Sequence, residues 1–249
     1  MSSTDDLRRS EDSAMQKTLL SSYSPPLIKE ARERQDELLI DRFKGRSLRI
    51  ADLGCGDGYH GSIFAPSSQV YHGFEIAPEI AAIAEDRWRT EGLTQAKIFV
   101  GDAAQAALPA EFFDLVFCLY FTPGNFRDKS EDLGLYTDAY LDRNPGFIRV
   151  MSKFYDALRI GGQMFLTAYK DVPEAEAAQH DFYVHTGQHV VTPKGSRFVA
   201  TAENFWSARW TEASMLSNLD AFGVSPEQVV FHDLNQIAWL VEITRNQQT

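Results

Sequence analysis

The chain has little of several features that would place it in other protein classes. Its 249 residues include two cysteines, Cys55 and Cys118, which form neither a disulfide framework nor a metal-ligand spacing. No apolar run approaches the roughly 20 residues of a membrane span, and residues 1–15 fit neither a secretory signal nor a transit peptide. Acidic residues outnumber basic ones by 35 to 24, so the net charge is −11, and no Lys/Arg cluster offers a face for phosphates. We expect a cytoplasmic protein that binds neither membrane nor nucleic acid, with the oligomeric state open between monomer and homodimer.

The most informative stretch is residues 48–61, where an apolar run ends in a carboxylate and glycines follow at once. Asp52 closes the run, and Gly54, Gly56 and Gly58 come at alternate positions. This order predicts a buried parallel strand, a tight loop and the start of a helix. Glycines there let a ligand approach bare backbone. The sequence therefore predicts a nucleoside-binding loop.

The sequence of this loop is compatible with two classes of ligand. Gly56-x-Gly58-x-x-Gly61 formally matches the dinucleotide signature, and an acidic residue follows near the expected distance. However, the turn begins two residues earlier, at Gly54. Asp52 and Asp57 would also oppose a pyrophosphate at the helix N-terminus. The register and the charge both disfavour a dinucleotide, and the charge favours a ligand that is neutral or cationic at this point. An NAD(P)-dependent oxidoreductase is the alternative enzyme.

The segment from Asp52 to Gly58 resembles the first motif of the class I S-adenosylmethionine-dependent methyltransferases, an acidic residue, an apolar residue and G-x-G-x-G. S-adenosylmethionine carries a sulfonium cation, an ammonium group and no phosphate, so acids beside the loop suit it. A glycine turn without a ligand is the other reading, and the features that follow in the sequence decide between them.

Those features arrive in the family's order. Residues 69–75 read as a second strand ending in Glu75, residues 96–100 as a third followed by Gly101 and Asp102, and residues 113–121 as a buried fourth. The resemblance implies that Glu75 accepts the ribose hydroxyls. It also implies that Asp102 binds the adenine amino group and that the backbone of Ala103 meets the ring edge.

The rest of the chain completes an alternating pattern. Residues 147–158 read as a helix that Gly161-Gly162 would stop, residues 164–169 as a fifth strand and residues 229–243 as an antiparallel hairpin after a helix. The predicted fold is α/β, a doubly wound, mostly parallel seven-stranded sheet with helices on both faces and an antiparallel last strand. We expect a single domain, residues 1–249. Its predicted parts are an N-terminal helical lid (1–45), a cofactor-binding core (46–170), an insertion over the active site (171–210), and a C-terminal helix and hairpin (211–249).

The predicted cofactor site gathers residues at the carboxyl ends of strands one to four. S-adenosyl-L-methionine is the expected cofactor. Its expected binding residues are Asp52, Gly54, Cys55, Gly56, Gly58, Glu75, Ile76, Gly101, Asp102, Ala103, Leu119 and Tyr120.

The acceptor site should lie in the loops after strands four and five, where doubly wound folds bind ligands. No catalytic residue is assigned, and four candidates are Tyr120, Asn125, Tyr169 and His185. Gly124-Asn125-Phe126 resembles a Gly-Asn-Phe element of the histidine Nα-methyltransferases, in which the asparagine holds the substrate; a plain turn is the other reading. Three histidines, His180, His185 and His189, lie close together in the sequence, but no acidic residue is convincingly placed as a third ligand for the His185–His189 pair, so no metal is expected.

The resulting prediction is a methyltransferase that transfers a methyl group in line to the nitrogen or oxygen of a small molecule. The loop after strand four lacks the Asn-Pro-Pro-Tyr pattern that would have pointed to a nucleic-acid base or a glutamine amide. The alternatives are the oxidoreductase and a scaffold that binds S-adenosylmethionine without catalysis.

Overall fold

The computed structural model describes residues 21, 23–127 and 137–247. Residues 1–20 of the predicted N-terminal lid lie outside this part. Seven α-helices occur in it, and four of them begin at a proline, whose fixed φ and missing N–H suit the first turn. The helices are α1 (Pro26–Phe43), α2 (Tyr59–Phe64), α3 (Pro78–Thr90), α4 (Asp138–Leu141), α5 (Pro145–Ala157), α6 (Pro173–His185) and α7 (Glu212–Asp220).

Nine strands of the described residues form one sheet, which contains every strand predicted from the sequence. Strands β1 to β5 are parallel in the order β3-β2-β1-β4-β5, and β9 pairs antiparallel with both β5 and β8. The strands are β1 (Arg49–Leu53), β2 (Val70–Glu75), β3 (Ala96–Val100), β4 (Phe113–Cys118), β5 (Leu158–Lys170), β6 (Phe198–Ala200), β7 (Trp206–Trp210), β8 (Val229–Asn235) and β9 (Ala238–Thr244).

Strands β6 and β7 extend the seven-stranded pattern and come from the predicted insertion. The last two residues of β5, Tyr169 and Lys170, pair in parallel with Arg209 and Trp210 of β7. Because β9 occupies one edge of β5 and β4 the other, β7 takes the edge that β4 leaves free after Cys118. Part of the insertion therefore belongs to the sheet.

Helices cover both faces of the sheet, as predicted. One buried cluster joins β1 and β4 to α1, α2, α3 and α6, with Phe43, Phe64 and Phe182 at its centre. The other joins the opposite face to α5 and α7, through residues such as Phe154 and Leu219. Side chains of β1 and β4 alternate between the two clusters, which is the period of a strand buried on both faces.

Two predicted boundaries differ from the structure. Helix α5 ends at Ala157, and Gly161 and Gly162 lie inside β5 instead of stopping the helix. Gly161 has φ +75°, and a Cβ on Gly162 would lie 2.9 Å from the carbonyl oxygen of Arg159, so both positions need glycine within a strand. The fourth strand ends at Cys118 because Tyr120 and Phe121 adopt φ +51° and +69°, which no strand can contain.

Helix α1 packs along the sheet and is tied to it by polar contacts. Arg42 donates two hydrogen bonds of 2.7 and 2.8 Å to Glu242 of β9, and Arg34 donates to the carbonyl oxygen of Leu234 at 2.8 Å. Its buried side chains include Ile28, Leu39 and Phe43. The helix thus forms a wall beside the carboxyl end of the sheet. Across the described residues, none of the helices has both the length and the apolar character to cross a bilayer.

Candidate active site

A cavity of about 790 Å³ opens at the carboxyl ends of the parallel strands. The loops after β1, β2 and β3 line one half of it. The segment after β4, the end of β5, and helices α1 and α6 line the other. In a doubly wound sheet the strand order reverses at one point, and the connections on either side of that point leave a crevice in which ligands bind. The two halves are continuous, so a ligand bound in one half would contact a ligand bound in the other half.

The glycine loop forms the floor of the first half. Gly54 has φ +72° and Gly56 φ +56°, conformations that favour glycine. A Cβ on Gly54 would lie 2.6 Å from Cγ2 of Thr122, so the close approach of the β1 and β4 loops also requires glycine. By contrast, Gly58 and Gly61 make room for the Trp88 ring, whose indole N–H donates to the carbonyl oxygen of Gly58 at 2.8 Å. The second and third glycines of the dinucleotide signature thus serve packing.

Glu75 fixes this loop from the tip of β2. Its Oε2 accepts the N–H of Gly56 at 3.1 Å, and its Oε1 accepts the N–H of Ala77 at 3.0 Å. Burial raises the pKa of Glu75, while these backbone hydrogen bonds act in the opposite direction. The carboxylate lines the cavity and is 4% exposed. Each oxygen keeps a lone pair that can accept a ligand hydroxyl.

The other acids of this half differ in their exposure to the cavity. Asp102, which is exposed, lines the cavity and accepts the N–H of Ala104 at 2.9 Å. Asp57 also lines it and is paired with Arg87 at 2.7 Å. Asp52 does not line it: the carboxylate is buried, burial raises its pKa, and it accepts the hydroxyl of Tyr71 at 2.5 Å. Asp52 therefore supports the loop from beneath.

Ten of the twelve predicted cofactor residues line the cavity, and Asp52 and Gly58 do not. Cys55 lines it as a buried thiol, and burial raises its pKa. The ten are Gly54, Cys55, Gly56, Glu75, Ile76, Gly101, Asp102, Ala103, Leu119 and Tyr120.

Tyr120 belongs to a polar cluster where α1 meets the glycine loop. Its hydroxyl donates to Oδ2 of Asp36 at 2.6 Å, and Oδ1 of Asp36 lies 3.0 Å from Nε2 of His60. The amide of Gln35 also donates to Asp36, at 2.8 Å. Burial raises the pKa of Tyr120, and the charge of Asp36 raises it further, so Tyr120 stays protonated. Tyr120 and Phe121 both have a left-handed backbone conformation, which is strained for residues other than glycine. Such strain is typical of functional sites.

Tyr169 and Asn125 also line the cavity. The Tyr169 ring stacks on Phe121 with 3.7 Å between centroids, and burial raises the pKa of its hydroxyl. That hydroxyl makes no hydrogen bond within residues 21, 23–127 and 137–247. Asn125 ends a short 3-10 helix, and its carbonyl oxygen accepts the indole N–H of Trp206 at 3.1 Å.

The structure places His185 outside the cavity lining. It lies at the end of α6, where its ring stacks on Tyr23 at 3.9 Å and its Nδ1 lies 3.1 Å from Oδ1 of Asp181. The hydroxyl of Tyr23 donates to the same carboxylate at 2.5 Å. His185 thus joins the segment before α1 to α6 and has no contact with the cavity. No group of three or more potential metal ligands was found in the described part of the chain.

Sequence reasoning missed several cavity residues. Arg32 and Arg127 lie on elements remote from the glycine loop, and His60 directly follows that loop. The signal for Arg32 was its separation from Asp36, four residues along α1, which places both on one helix face. No local pattern showed that this face turns towards the ligand site.

Comparison with known proteins identifies the family. Residues 50–133, which contain the glycine loop and strands β1 to β4, match the family model described as a methyltransferase domain. This segment is therefore a methyltransferase domain, in agreement with the predicted class I S-adenosylmethionine-dependent family. The predicted family and its cofactor, S-adenosylmethionine, are confirmed at this level.

One curated relative and several solved structures are similar. Aklanonic acid methyltransferase DauC of Streptomyces sp. (strain C5) is 27% identical over 125 residues. That match covers 48% of this chain and 47% of the relative, so it spans about half of each protein.

The solved structures confirm the fold. The complex of DhpI with S-adenosylhomocysteine has a TM-score of 0.63 at 14% identity, covering 99% of this chain and 100% of that one. Magnesium protoporphyrin IX methyltransferase (ChlM) from Synechocystis PCC 6803, also with bound S-adenosylhomocysteine, has a TM-score of 0.56 at 13% identity. Its coverage is 94% of this chain and 93% of that one.

Proposed function

We propose that this protein methylates the nitrogen or oxygen of a small molecule, with S-adenosylmethionine as the methyl donor. The observation that carries the proposal is the single cavity with an acid-lined half and an aromatic half. Its volume of about 790 Å³ lies within the range of roughly 300–1,000 Å³ that small-molecule sites occupy. The relatives named for aklanonic acid and magnesium protoporphyrin IX agree with an organic acceptor.

The acid-lined half fits the cofactor. Gly54 and Gly56 expose backbone, Glu75 offers a carboxylate to hydroxyl groups, and Asp102 with Ala103 forms the next wall. Arg87 of α3 lines this half and is paired with Asp57, so its charge is already compensated and does not favour a pyrophosphate. Bound S-adenosylmethionine would supply a methyl group activated by its sulfonium.

The aromatic half would align the acceptor and exclude water. Phe121, Tyr169, Phe182 and Tyr183 are buried and line the cavity at the ends of β4 and β5. Displacement at a methyl carbon requires the nucleophile to approach in line, so positioning in a dry pocket is the main task of the protein. Tyr120, held by Asp36, lies between the two halves and would fix that alignment.

Proton removal depends on the acceptor. An amine needs only to be bound in its neutral form, whereas a hydroxyl group benefits from a base. We propose His60, with Asp36 at 3.0 Å, as the proton acceptor for a hydroxyl, in place of His185. Tyr120 is unsuited to this role because it stays protonated.

We also propose a cytoplasmic location. The two reduced, buried thiols, Cys55 and Cys118, support it.

Titration calorimetry with S-adenosylmethionine, S-adenosylhomocysteine and NAD tests the proposal. We expect both sulfur nucleosides to bind and NAD not to bind. Formation of S-adenosylhomocysteine with a panel of phenols, amines and carboxylic acids then tests turnover. Binding of NAD alone would overturn the proposal. Tight binding of the sulfur nucleosides with no turnover across the panel would favour the non-catalytic scaffold.

A further inference from the structure

Charge is distributed unevenly along the cavity. Asp57, Glu75 and Asp102 lie at the ends of β1, β2 and β3, in the proposed cofactor half. Arg32 and Arg127 line the half formed by α1, the segment after β4 and the end of β5. The chain as a whole carries a net charge of −11, so this positive region runs against the overall charge of the molecule.

Arg32 has no acidic partner among the residues that the structure describes. Its guanidinium carbon lies 4.8 Å from the ring centroid of Tyr120 and 5.7 Å from that of Phe182. Its Nε is buried without a hydrogen bond, and it forms no ion pair with any residue that the structure describes. The nearby Arg34 and Lys29 of the same helix do pair, with Glu30 and Glu33.

The acid best placed to neutralise Arg32 is otherwise engaged. Asp36 is one turn further along α1, but its two oxygens contact Tyr120 at 2.6 Å and His60 at 3.0 Å. Arg127 is likewise a buried cation, with 6% of its residue surface exposed. It donates to the carbonyl and side-chain oxygens of Asn204, and its Nε is buried without a hydrogen bond. An unpaired cation in an apolar pocket is costly, and a bound anion removes the cost.

We propose that the methyl acceptor is an aromatic or similarly planar carboxylic acid, whose carboxylate is bound by Arg32. This inference rests on the proposed function and specifies its substrate class. The guanidinium is flat and forms two parallel hydrogen bonds to a carboxylate. The rings of Tyr169, Phe182 and Tyr183 would enclose the apolar part of the acid.

The position of Arg32 favours the acceptor over the amino-acid end of the cofactor as the source of this carboxylate. Its contacts are with the β4 segment and α6 rather than with the loops after β1, β2 and β3. Burial raises the pKa of Tyr169 and of Tyr183, and the charge of Arg32 acts against that rise in both tyrosines.

Binding of matched acids and amides tests the inference. The probes are 4-hydroxybenzoate and indole-3-acetate, each with its carboxamide, titrated by NMR into protein saturated with S-adenosylhomocysteine. We expect the wild type to prefer each acid by roughly 10- to 100-fold, the effect of hydrogen bonds to a charged group. Arg32→Gln should abolish this preference, and Arg32→Lys should retain part of it. Arg34→Gln, a change on the same helix away from the cavity, should leave it intact.

Two results would overturn the inference. One is equal binding of acids and amides by the wild type. The other is a loss of S-adenosylhomocysteine affinity of about tenfold or more in Arg32→Gln, which would assign the guanidinium to the cofactor's own carboxylate. If the wild type does not bind S-adenosylhomocysteine, the proposed function fails. The same titrations without the nucleoside then decide whether the cavity selects carboxylates.

Discussion

At the scale of single residues, Glu75 connects the cofactor loop to the ligand space. Because its carboxylate accepts backbone N–H groups and lines the cavity, we expect Glu75→Ala to weaken S-adenosylhomocysteine binding by about 1.5–3 kcal/mol for each charge-assisted hydrogen bond lost. Titration calorimetry measures the change. Glu79→Ala, in the first turn of α3 and outside the cavity lining, is the control. Unchanged affinity in Glu75→Ala would mean that the carboxylate does not contact the cofactor.

Gly54 offers a second test, because steric crowding and backbone strain can be separated. Gly54→Ala places a Cβ 2.6 Å from Thr122 on a left-handed backbone, whereas Gly45, at φ +83°, has nothing within 4 Å. Gly45→Ala should therefore cost only the backbone term, about 1–2 kcal/mol. Gly54→Ala should cost more in urea unfolding and should also reduce S-adenosylhomocysteine affinity. Equal losses of stability would show that the contact with Thr122 relaxes freely.

The residues of the site differ in how far the sequence predicted them. Gly54, Glu75 and Asp102 follow strand ends in a local pattern, and the structure brings them to one cavity. Arg32 lies on α1, and the sequence pattern of this helix shows that one face is buried. The pattern does not show that Arg32 lines the ligand cavity. His185 was a candidate because histidine chemistry is visible in a sequence, whereas its stacking on the distant Tyr23 is visible only in the folded chain.

At the scale of secondary structure, Asp114 ties together the starts of three parallel strands. It accepts hydrogen bonds from the backbone N–H of Arg49 at 2.8 Å, from the Arg49 side chain and from Arg159. Burial alone would raise the pKa of Asp114, but these hydrogen bonds outweigh it and lower the pKa from 3.8 to about 2. The folded-state pKa is depressed, so the stabilisation is complete above the unfolded pKa and is lost as the pH falls from about 4 to 2.

Asp114→Asn should therefore lower the free energy of unfolding at pH 7 by on the order of 1–2 kcal/mol. The deficit relative to the wild type should shrink as the pH approaches 2. Urea unfolding at pH 7, 4 and 3 measures this. Asp233→Asn removes a carboxylate whose side chain is 77% exposed and should change little. A deficit that stays constant with pH would contradict the assignment of the acid dependence to Asp114.

The strands that the sequence did not predict show what such patterns omit. Trp206–Trp210 reads Trp-Ser-Ala-Arg-Trp, with no alternation of apolar and polar residues, yet all five residues are buried. Arg209 is tolerated there because Asp171 and Gln179 bind it at 3.3 and 2.9 Å. These partners are 38 and 30 positions away, so only the folded chain brings them together. Strands β1 to β3, by contrast, are short runs with glycine or acid at or just after their ends, which local sequence predicts well.

At the scale of the whole molecule, cofactor binding should stabilise the native state by mass action. S-adenosylhomocysteine at 100 times its Kd should add about 2.7 kcal/mol to the free energy of unfolding. For a chain of this size that raises Tm by roughly 5–10 °C. Thermal unfolding followed by circular dichroism measures the shift. NAD at the same concentration should give none, and a larger shift with NAD would contradict the proposed cofactor.

The pairing of β7 with β5 has a consequence for protein engineering. Residues 171–210 begin and end at hydrogen-bonded positions: the N–H of Asp171 donates to the carbonyl oxygen of Trp210 at 2.8 Å, and Arg209 pairs with Tyr169 in the sheet. The two ends of the segment are therefore adjacent, as in a cassette that can be exchanged. A transplant into another scaffold of this fold would carry its own strand with it, and the recipient must leave the same stretch of β5 edge unpaired. Compatibility of the sheet edge, more than loop length, would then decide which acceptor-binding segments can be recombined with which cofactor-binding cores.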